Sequence, residues 1–108
     1  MVEYSLQLNN IFASLSDETR RDIMKRVSKQ PHSIGEIAKH YKLTFAAISK
    51  HLKVLEKANL IIKTRKGKEQ MVEVYPQTLA NTEAYLNNLR EIWEDRFDRL
   101  DQLLKQQK

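Results

Sequence analysis

Two helix start signals lie so close together that they restrict the fold more than any other feature of the chain. Ser33 and Glu36 stand three residues apart and match a capping box, which predicts a helix over about 33–41. Thr44 is the next start signal and predicts a helix over about 44–58. Only two residues separate the two predicted helices. So short a break forces consecutive helices to cross at a steep angle. The pattern is typical of a helix-turn-helix motif.

The segments on either side of this motif predict a winged helix. Apolar spacing near 3.6 residues predicts helices over 4–15 and 17–28 before the motif. After the motif, two β-branched segments flank a basic turn that contains a glycine, which predicts a hairpin within 60–75, and a long helix follows over about 77–104. We therefore expect a mainly α chain with a small β-hairpin, in the order α-α-α-α-β-β-α, folded as a single winged helix-turn-helix domain over 1–108.

The second predicted helix has a hydroxyl cap and one apolar face. Ser16 precedes the helix and is expected to cap it, because a serine oxygen can accept a free N–H group of the first helical turn. Ile23, Met24 and Val27 should face inward. Arg20 is expected to lie largely outside.

The fourth predicted helix separates apolar residues from small and basic ones. Ile48, Leu52 and Leu55 recur at steps of four and three and should face the core. The opposite face is predicted to carry Phe45, Ala46, Ser49, Lys50 and Lys53. Small side chains allow close approach to base edges in a DNA major groove, and lysines reach phosphates or a guanine edge. An ordinary solvated face is the alternative, although phenylalanine and alanine are poor choices for a face that meets only water.

Basic residues are concentrated in the part of the chain that holds this motif and the hairpin. Residues 29–68 hold ten basic and two acidic side chains, residues 1–28 hold four of each, and residues 69–108 hold five basic and eight acidic ones. A polyanion-binding surface requires such a block, since each phosphate contact releases condensed counterions. On charge alone, a solvated lysine-rich surface is an equal alternative.

Several classes of function are excluded by what the sequence lacks. The 108 residues are about one domain and include no cysteine, so they offer no disulfide framework, thiolate metal site or cysteine nucleophile. Without a glycine-rich phosphate loop or a nucleophile elbow, we expect neither an enzyme nor a cofactor. No apolar run approaches the ~20 residues that cross a bilayer, and no signal-peptide pattern is present, so we expect a cytoplasmic protein that contacts no membrane.

The last predicted helix carries an apolar series that suits a partner helix. The series, with one residue beside it, comprises Leu86, Leu89, Trp93, Phe97, Leu100 and Leu103. We interpret this apolar series, together with Leu6, Leu8 and Phe12 of the first helix, as a homodimer interface formed by segments 1–15 and 77–108. Two recognition helices related by a two-fold axis would read both halves of a palindrome. Core packing, or a small-molecule pocket lined by the aromatic rings of this helix, is the alternative.

Three segments resemble the ArsR family of winged-helix repressors. Residues 15–21 read Leu-Ser-Asp-Glu-Thr-Arg-Arg, and residues 48–55 read Ile-Ser-Lys-His-Leu-Lys-Val-Leu. Residues 93–101, Trp-Glu-Asp-Arg-Phe-Asp-Arg-Leu-Asp, are similar to a branch that lacks metal-ligand motifs. The resemblance covers nearly the whole chain. It implies a homodimer that occupies a DNA operator, often in its own promoter, and represses until a signal lowers its affinity.

The resemblance also indicates which residues contact DNA. Ser49, Lys50 and His51 lie where family members contact DNA, and residues 66–68 lie at the tip of the wing. The full set of predicted DNA contacts is Thr44, Phe45, Ala46, Ser49, Lys50, His51, Lys53, Arg65, Lys66, Gly67 and Lys68.

The sequence departs from the metal-sensing members of that family. Those members carry a cysteine pair in the third helix or histidines and acids in the last helix. Here residues 34–38 read Ile-Gly-Glu-Ile-Ala, and the last helix has no histidine, so we expect no metal site. His40 is expected at the surface and His51 at the DNA.

A second hypothesis is a winged helix that serves as a protein-protein interaction module. In that case the last helix binds a different partner, and the basic surface is incidental. The effector, a small molecule or a protein, and the choice between repression and activation stay open at this point.

Overall fold

A computed structural model describes residues 2–106, with the side chains of residues 6–106, so both ends of the predicted domain lie outside the described residues. Its elements are α1 (Val2–Ser14), α2 (Glu18–Lys29), β1 (His32–Ser33), α3 (Ile34–His40), α4 (Phe45–Lys57), β2 (Ile61–Lys66), β3 (Glu69–Val74) and α5 (Pro76–Gln106). The chain divides into two compact units, one up to Thr78 and one from Leu79 onward. The predicted winged helix-turn-helix order is confirmed, with one additional short strand.

The second helix is capped by a residue other than the predicted one. The Asp17 carboxylate accepts the backbone N–H of Arg20 at 3.0 Å and is the N-cap of α2. The Ser16 hydroxyl instead donates to the Ala13 carbonyl at 2.6 Å, at the end of α1. The prediction of a Ser16 cap is therefore wrong. A carboxylate is a strong acceptor at the positive end of a helix dipole, so the serine hydroxyl is left for the preceding helix.

The two helices of the helix-turn-helix motif begin as their sequence predicts. The Ser33 hydroxyl accepts the backbone N–H of Glu36 at 3.1 Å, and the Glu36 carboxylate accepts the backbone N–H of Ser33 at 3.2 Å, which confirms the capping box. Tyr41 is the C-cap of α3. Thr44 is the N-cap of α4, where its hydroxyl accepts the backbone N–H of Ala47 at 3.1 Å. The turn between the caps is therefore two residues long.

One hydrophobic core lies within the first unit. The predicted inward faces of α2 and α4 are confirmed, because their apolar residues are buried in it. The core consists of Ile11, Ile23, Met24, Val27, Ile34, Ile37, Ile48, Leu52, Leu55, Ala58, Leu60, Ile61 and Val72.

The predicted hairpin belongs to a three-stranded antiparallel sheet in the order β1-β3-β2. The short strand β1 adds to the edge of β3, with His32 opposite Val72. In the hairpin, Lys66 lies opposite Glu69, and the two-residue turn begins with Gly67 at φ 64°. A positive φ at the first turn position is the pattern of a type II′ hairpin, which glycine adopts without steric cost.

A polar cluster of three residues joins α2 to the end of α3. The Tyr41 hydroxyl donates to the Asp22 carboxylate at 2.5 Å, and Arg26 Nε donates to the same carboxylate at 3.1 Å. The Arg26 guanidinium also lies 5.6 Å from the centre of the Tyr41 ring. The hydrogen bond from Tyr41, followed by that from Arg26, lowers the pKa of Asp22. Burial, followed by the bond to Asp22, raises the pKa of Tyr41 to about 12.

We expect Leu52→Ala to lower the free energy of unfolding by about 2–5 kcal/mol, because it removes a fully buried side chain and leaves a cavity. Urea denaturation followed by circular dichroism, at a fixed protein concentration, measures the change. Lys53→Ala on the exposed side of the same helix is the control and should change stability by less than about 0.5 kcal/mol. Equal losses for the two variants would contradict the described core.

We expect Tyr41→Phe to raise the pKa of Asp22 toward its usual value, because the variant lacks the hydroxyl that donates to the carboxylate. The folded-state pKa of Asp22 is depressed, so its contribution to stability is present above pH about 4 and is lost as the pH falls through the folded pKa. Tyr41→Phe should therefore lose less stability than the unsubstituted protein between pH 4 and pH 2.

Carboxyl-detected NMR titration of Asp22 measures this pKa directly. Tyr75→Phe, at an exposed tyrosine just before α5, is the matched control and should leave the Asp22 titration unchanged. An Asp22 pKa that is the same with and without the Tyr41 hydroxyl would show that the cluster does not form in solution.

Candidate nucleic-acid interface

The outward side of α4 presents small and basic side chains. Ala46, Lys50 and Lys53 are exposed and recur at helical spacing, so they share one side of the helix. Ser49 lies beside them and is half-buried. The Thr44 cap is exposed at the start of the helix. The small side chains of this side would allow a polyanion to approach the helix closely, and the two lysines would supply cations to contact it.

The prediction that Phe45 lies on the face of α4 opposite the core is wrong, because Phe45 lies between that side and the core-facing side. It precedes the buried Leu52 by seven residues, which places the two side chains within about 20° of each other around the helix. Phe45 is nevertheless 61% exposed, because it is the first residue of the helix. It lines a groove of about 260 Å³ whose other walls include Gly35 and Lys68. The start of α4 and the beginning of β3, next to the tip of the wing, therefore border one groove.

The tip of the wing is basic and exposed, whereas its base is fixed. Arg65, Lys66, Gly67 and Lys68 are all exposed. At the base of β2, Lys63 is only 13% exposed in its side chain, and its Nζ lies 3.5 Å from Glu56 Oε1 of α4. Lys63 is therefore used within the fold, and the cations at the tip stay accessible.

The ring of His51 is directed toward α2. Its Nδ1 lies 3.3 Å from a guanidinium nitrogen of Arg20 and 3.8 Å from the Asp17 carboxylate. Arg20 also donates to the Ser14 carbonyl at 2.7 Å, so the prediction that Arg20 lies largely outside is wrong. The backbone N–H of Arg20, more than the nearby His51, lowers the pKa of Asp17. The contact of His51 with DNA stays a prediction, and the observed contacts hold the ring against α2.

Sequence reasoning missed two polar contacts of α2, one with α4 and one with the end of α3. Arg20 and His51 are 31 residues apart, and Tyr41 and Asp22 are 19 apart. Local periodicity and capping patterns carry no signal for such pairs, because each residue taken alone reads as an ordinary polar surface residue. No pattern in the sequence predicted the positive φ of Asn59, which follows the C-cap of α4. Asparagine tolerates this conformation at a helix end.

The unit from Leu79 onward is a helix with an exposed apolar series. Trp93 and Phe97 are 55% and 60% exposed, and their ring centres lie 5.9 Å apart. The other predicted members of the series, Leu86, Leu89, Leu100 and Leu103, are also exposed. Acidic and basic residues between them form i,i+4 ion pairs, as in Arg99 with Asp95 at 3.4 Å.

In α1, the predicted interface residues have similar exposure. Leu6 and Phe12 are exposed and Leu8 is half-buried, whereas Ile11 of the same helix is in the core. One side of α1 therefore packs in the core of the first unit. The residues assigned to an interface are less buried than Ile11.

Neither a metal cluster nor a membrane span is found in the part of the chain that the structure describes. No group of three or more histidine, aspartate or glutamate side chains there could hold a metal ion. No helix there is long and apolar enough to cross a membrane.

Comparison with known proteins identifies the family of this fold. The family model for the bacterial regulatory protein, arsR family, matches residues 17–63, which run from the Asp17 cap into β2. The transcriptional repressor SdpR of Bacillus subtilis is 38% identical over 60 residues, which cover 56% of this chain and 67% of SdpR.

Two solved structures share the fold. An ArsR-like transcriptional regulator from Rhodococcus sp. RHA1 superimposes with a TM-score of 0.82, is 27% identical, and the match covers 97% of this chain and 96% of that one. The homodimeric winged helix-turn-helix DNA-binding domain of Mb0332 from Mycobacterium bovis has a TM-score of 0.68 at 17% identity, with 83% of each chain covered.

The relatives are transcriptional regulators and not enzymes, as the sequence predicted. The capping box, the tight turn, the basic wing and these matches agree, and the chain belongs to the ArsR family of transcriptional regulators, with a winged helix-turn-helix DNA-binding domain.

Proposed function

We propose that this protein is a homodimeric repressor that binds a palindromic operator, including one in its own promoter. The observation that carries the proposal is the joint exposure, within one compact unit, of the small and basic side of α4 and the basic tip of the wing. SdpR, a relative of 38% identity, is a transcriptional repressor, which favours repression over activation.

In this proposal α4 enters the major groove. Ala46 and Ser49 bring the helix backbone close to the base edges, and Lys50 and Lys53 contact phosphates or a guanine edge. The other predicted contacts of the helix are Thr44, Phe45 and His51. The Nδ1 of His51 lies against Arg20, which leaves Nε2 for a contact with DNA, so its support is weaker than that of the two exposed lysines.

The wing contacts the DNA backbone next to the site of α4. Arg65, Lys66 and Lys68 supply charge, and Gly67 allows the tight turn that brings them together. Phosphate contacts of this kind position the protein and carry no sequence information directly. The wing therefore contributes affinity, while α4 contributes specificity.

Two copies associate through α1 and α5 in this proposal. The apolar series of α5 is exposed along much of its length, and Leu6 and Phe12 of α1 are exposed as well. An exposed apolar stripe at helical spacing is typical of a surface that a second helix covers. The Mb0332 domain, which has the same fold, is homodimeric. A dimer supplies two recognition helices, one for each half of a palindrome.

We expect tight, salt-sensitive binding to the protein's own upstream DNA, with a preference of about 1,000-fold or more over a scrambled duplex. Fluorescence anisotropy at low and near-physiological salt measures both values. Lys50→Ala and Lys53→Ala should each weaken binding and, where the lysine contacts a phosphate, reduce the slope of log K against log salt by about 1. Neither variant should lower the melting temperature appreciably, since both side chains are exposed.

Lys25→Ala, at an exposed position of α2 outside the basic block of residues 29–68, is the matched control and should retain full affinity. Equal binding of the upstream and scrambled duplexes would count against an operator in that DNA. If neither duplex binds at all, the basic surface is incidental and a protein partner becomes the function to test.

We expect Trp93→Ala to weaken self-association by at least about 2 kcal/mol, or roughly 30-fold, because a large aromatic side chain is lost from the centre of the apolar series. Sedimentation equilibrium over a range of protein concentrations measures the monomer-dimer constant. Glu91→Ala, an exposed residue on the same helix, should change it little. Two differently tagged copies that fail to co-purify would show that α5 serves a partner other than itself.

A further inference from the structure

Phe45 is an apolar aromatic residue whose side chain is left largely exposed in the folded chain. At 61% it is the most exposed large apolar side chain among those that the structure describes. The helix does not need it as a cap, because the Thr44 hydroxyl already accepts the N–H of Ala47. Leu43 occupies the position before the cap, where an apolar residue often packs on the first turn. The ring at the first position of α4 is therefore neither a cap nor a member of the described core.

Phe45 lies at the end of α4 that the proposed function places in the major groove. The N-terminal residues of a recognition helix are the ones that meet base edges in the major groove. The neighbours Thr44 and Ala46 are small and exposed, so they do not shield the ring. Lys68 and Glu69 of the wing line the same groove of about 260 Å³, so one basic and one acidic residue border it.

Among the base edges of the major groove, only thymine displays an apolar group, its 5-methyl. A phenyl ring has neither a hydrogen-bond donor nor an acceptor, so it discriminates between bases only through such a contact. Insertion of the ring between base pairs is a different mode, which apolar wedges use from the minor groove. A ring at the start of a major-groove helix therefore suits the methyl contact.

We propose that Phe45 determines specificity by contacting the 5-methyl group of one thymine in each half of the operator. The inference rests on the proposed function, because it assumes that α4 lies in a major groove. It adds the base that one residue recognises and the chemical group through which recognition occurs.

The test uses a duplex selected by the full-length protein from a random-sequence pool. Each thymine of the selected site is replaced in turn by deoxyuridine, which removes only the methyl group. We expect replacement of one thymine in a half-site to weaken binding about fourfold, the effect of one buried methyl or methylene group. Phe45→Ala should weaken binding to the thymine duplex by at least as much and should no longer distinguish thymine from deoxyuridine at that position.

Leu43→Ala is the matched control, because it removes a neighbouring exposed apolar side chain and should retain the preference for thymine. Thermal melting shows whether Phe45→Ala stays folded. If it does not, Phe45→Leu provides the second variant, with a smaller apolar contact and a reduced preference.

Two results would overturn the inference. The first is a selected duplex whose affinity is insensitive to every thymine replacement, and the second is a thymine preference that persists unchanged in Phe45→Ala. Either result leaves the proposed repressor function intact, since the protein still selects its site. If no duplex is enriched from the pool, the proposed function itself fails.

Discussion

The turn between α3 and α4 has only two residues between its caps, so the positions of those caps decide where α4 points. Tyr41 closes α3 and Thr44 opens α4, and neither can shift along the chain without the loss of its hydrogen bond. Tyr41 is also held from outside the motif, by Asp22 and by the guanidinium of Arg26. Contacts between α2 and the end of α3 therefore help to determine the direction of α4.

The sequence predicts those parts of the fold that depend on local patterns. The capping box at Ser33 and the cap at Thr44 are local patterns, each completed within three residues, and both are confirmed. The strand β1 was missed because two residues carry no alternation, and its partner, around Val72, lies about forty residues further along the chain. The Ser16 cap was predicted wrongly because a carboxylate and a hydroxyl stood side by side, and only the end of α1 decided between them.

For the candidate interface, the sequence predicts which residues are exposed better than it predicts the directions of their side chains. Helical spacing and the basic block were sufficient to select Lys50, Lys53 and the tip of the wing, all of which are exposed. Spacing alone did not show that the His51 ring turns toward Arg20, since that contact spans 31 residues. Nor does charge distinguish Lys63, whose ammonium group lies near Glu56, from the lysines left free at the tip. Side-chain direction depends on the packing of neighbouring elements, which local patterns do not encode.

Packing between α1 and α4 bears on how a dimer would read DNA. Ile11 of α1 is buried in the same core as Leu52 and Leu55 of α4, and the Ser14 hydroxyl lies 3.4 Å from the Val54 carbonyl. A helix held in this way cannot rotate independently of its neighbour, because well-packed interiors resist small displacements. In the proposed dimer, α1 would lie at the interface, and its fixed relation to α4 would transmit the dimer geometry to both recognition helices. The separation of the two half-sites, about 34 Å for one turn of DNA, would then be a property of the protein core as much as of the interface.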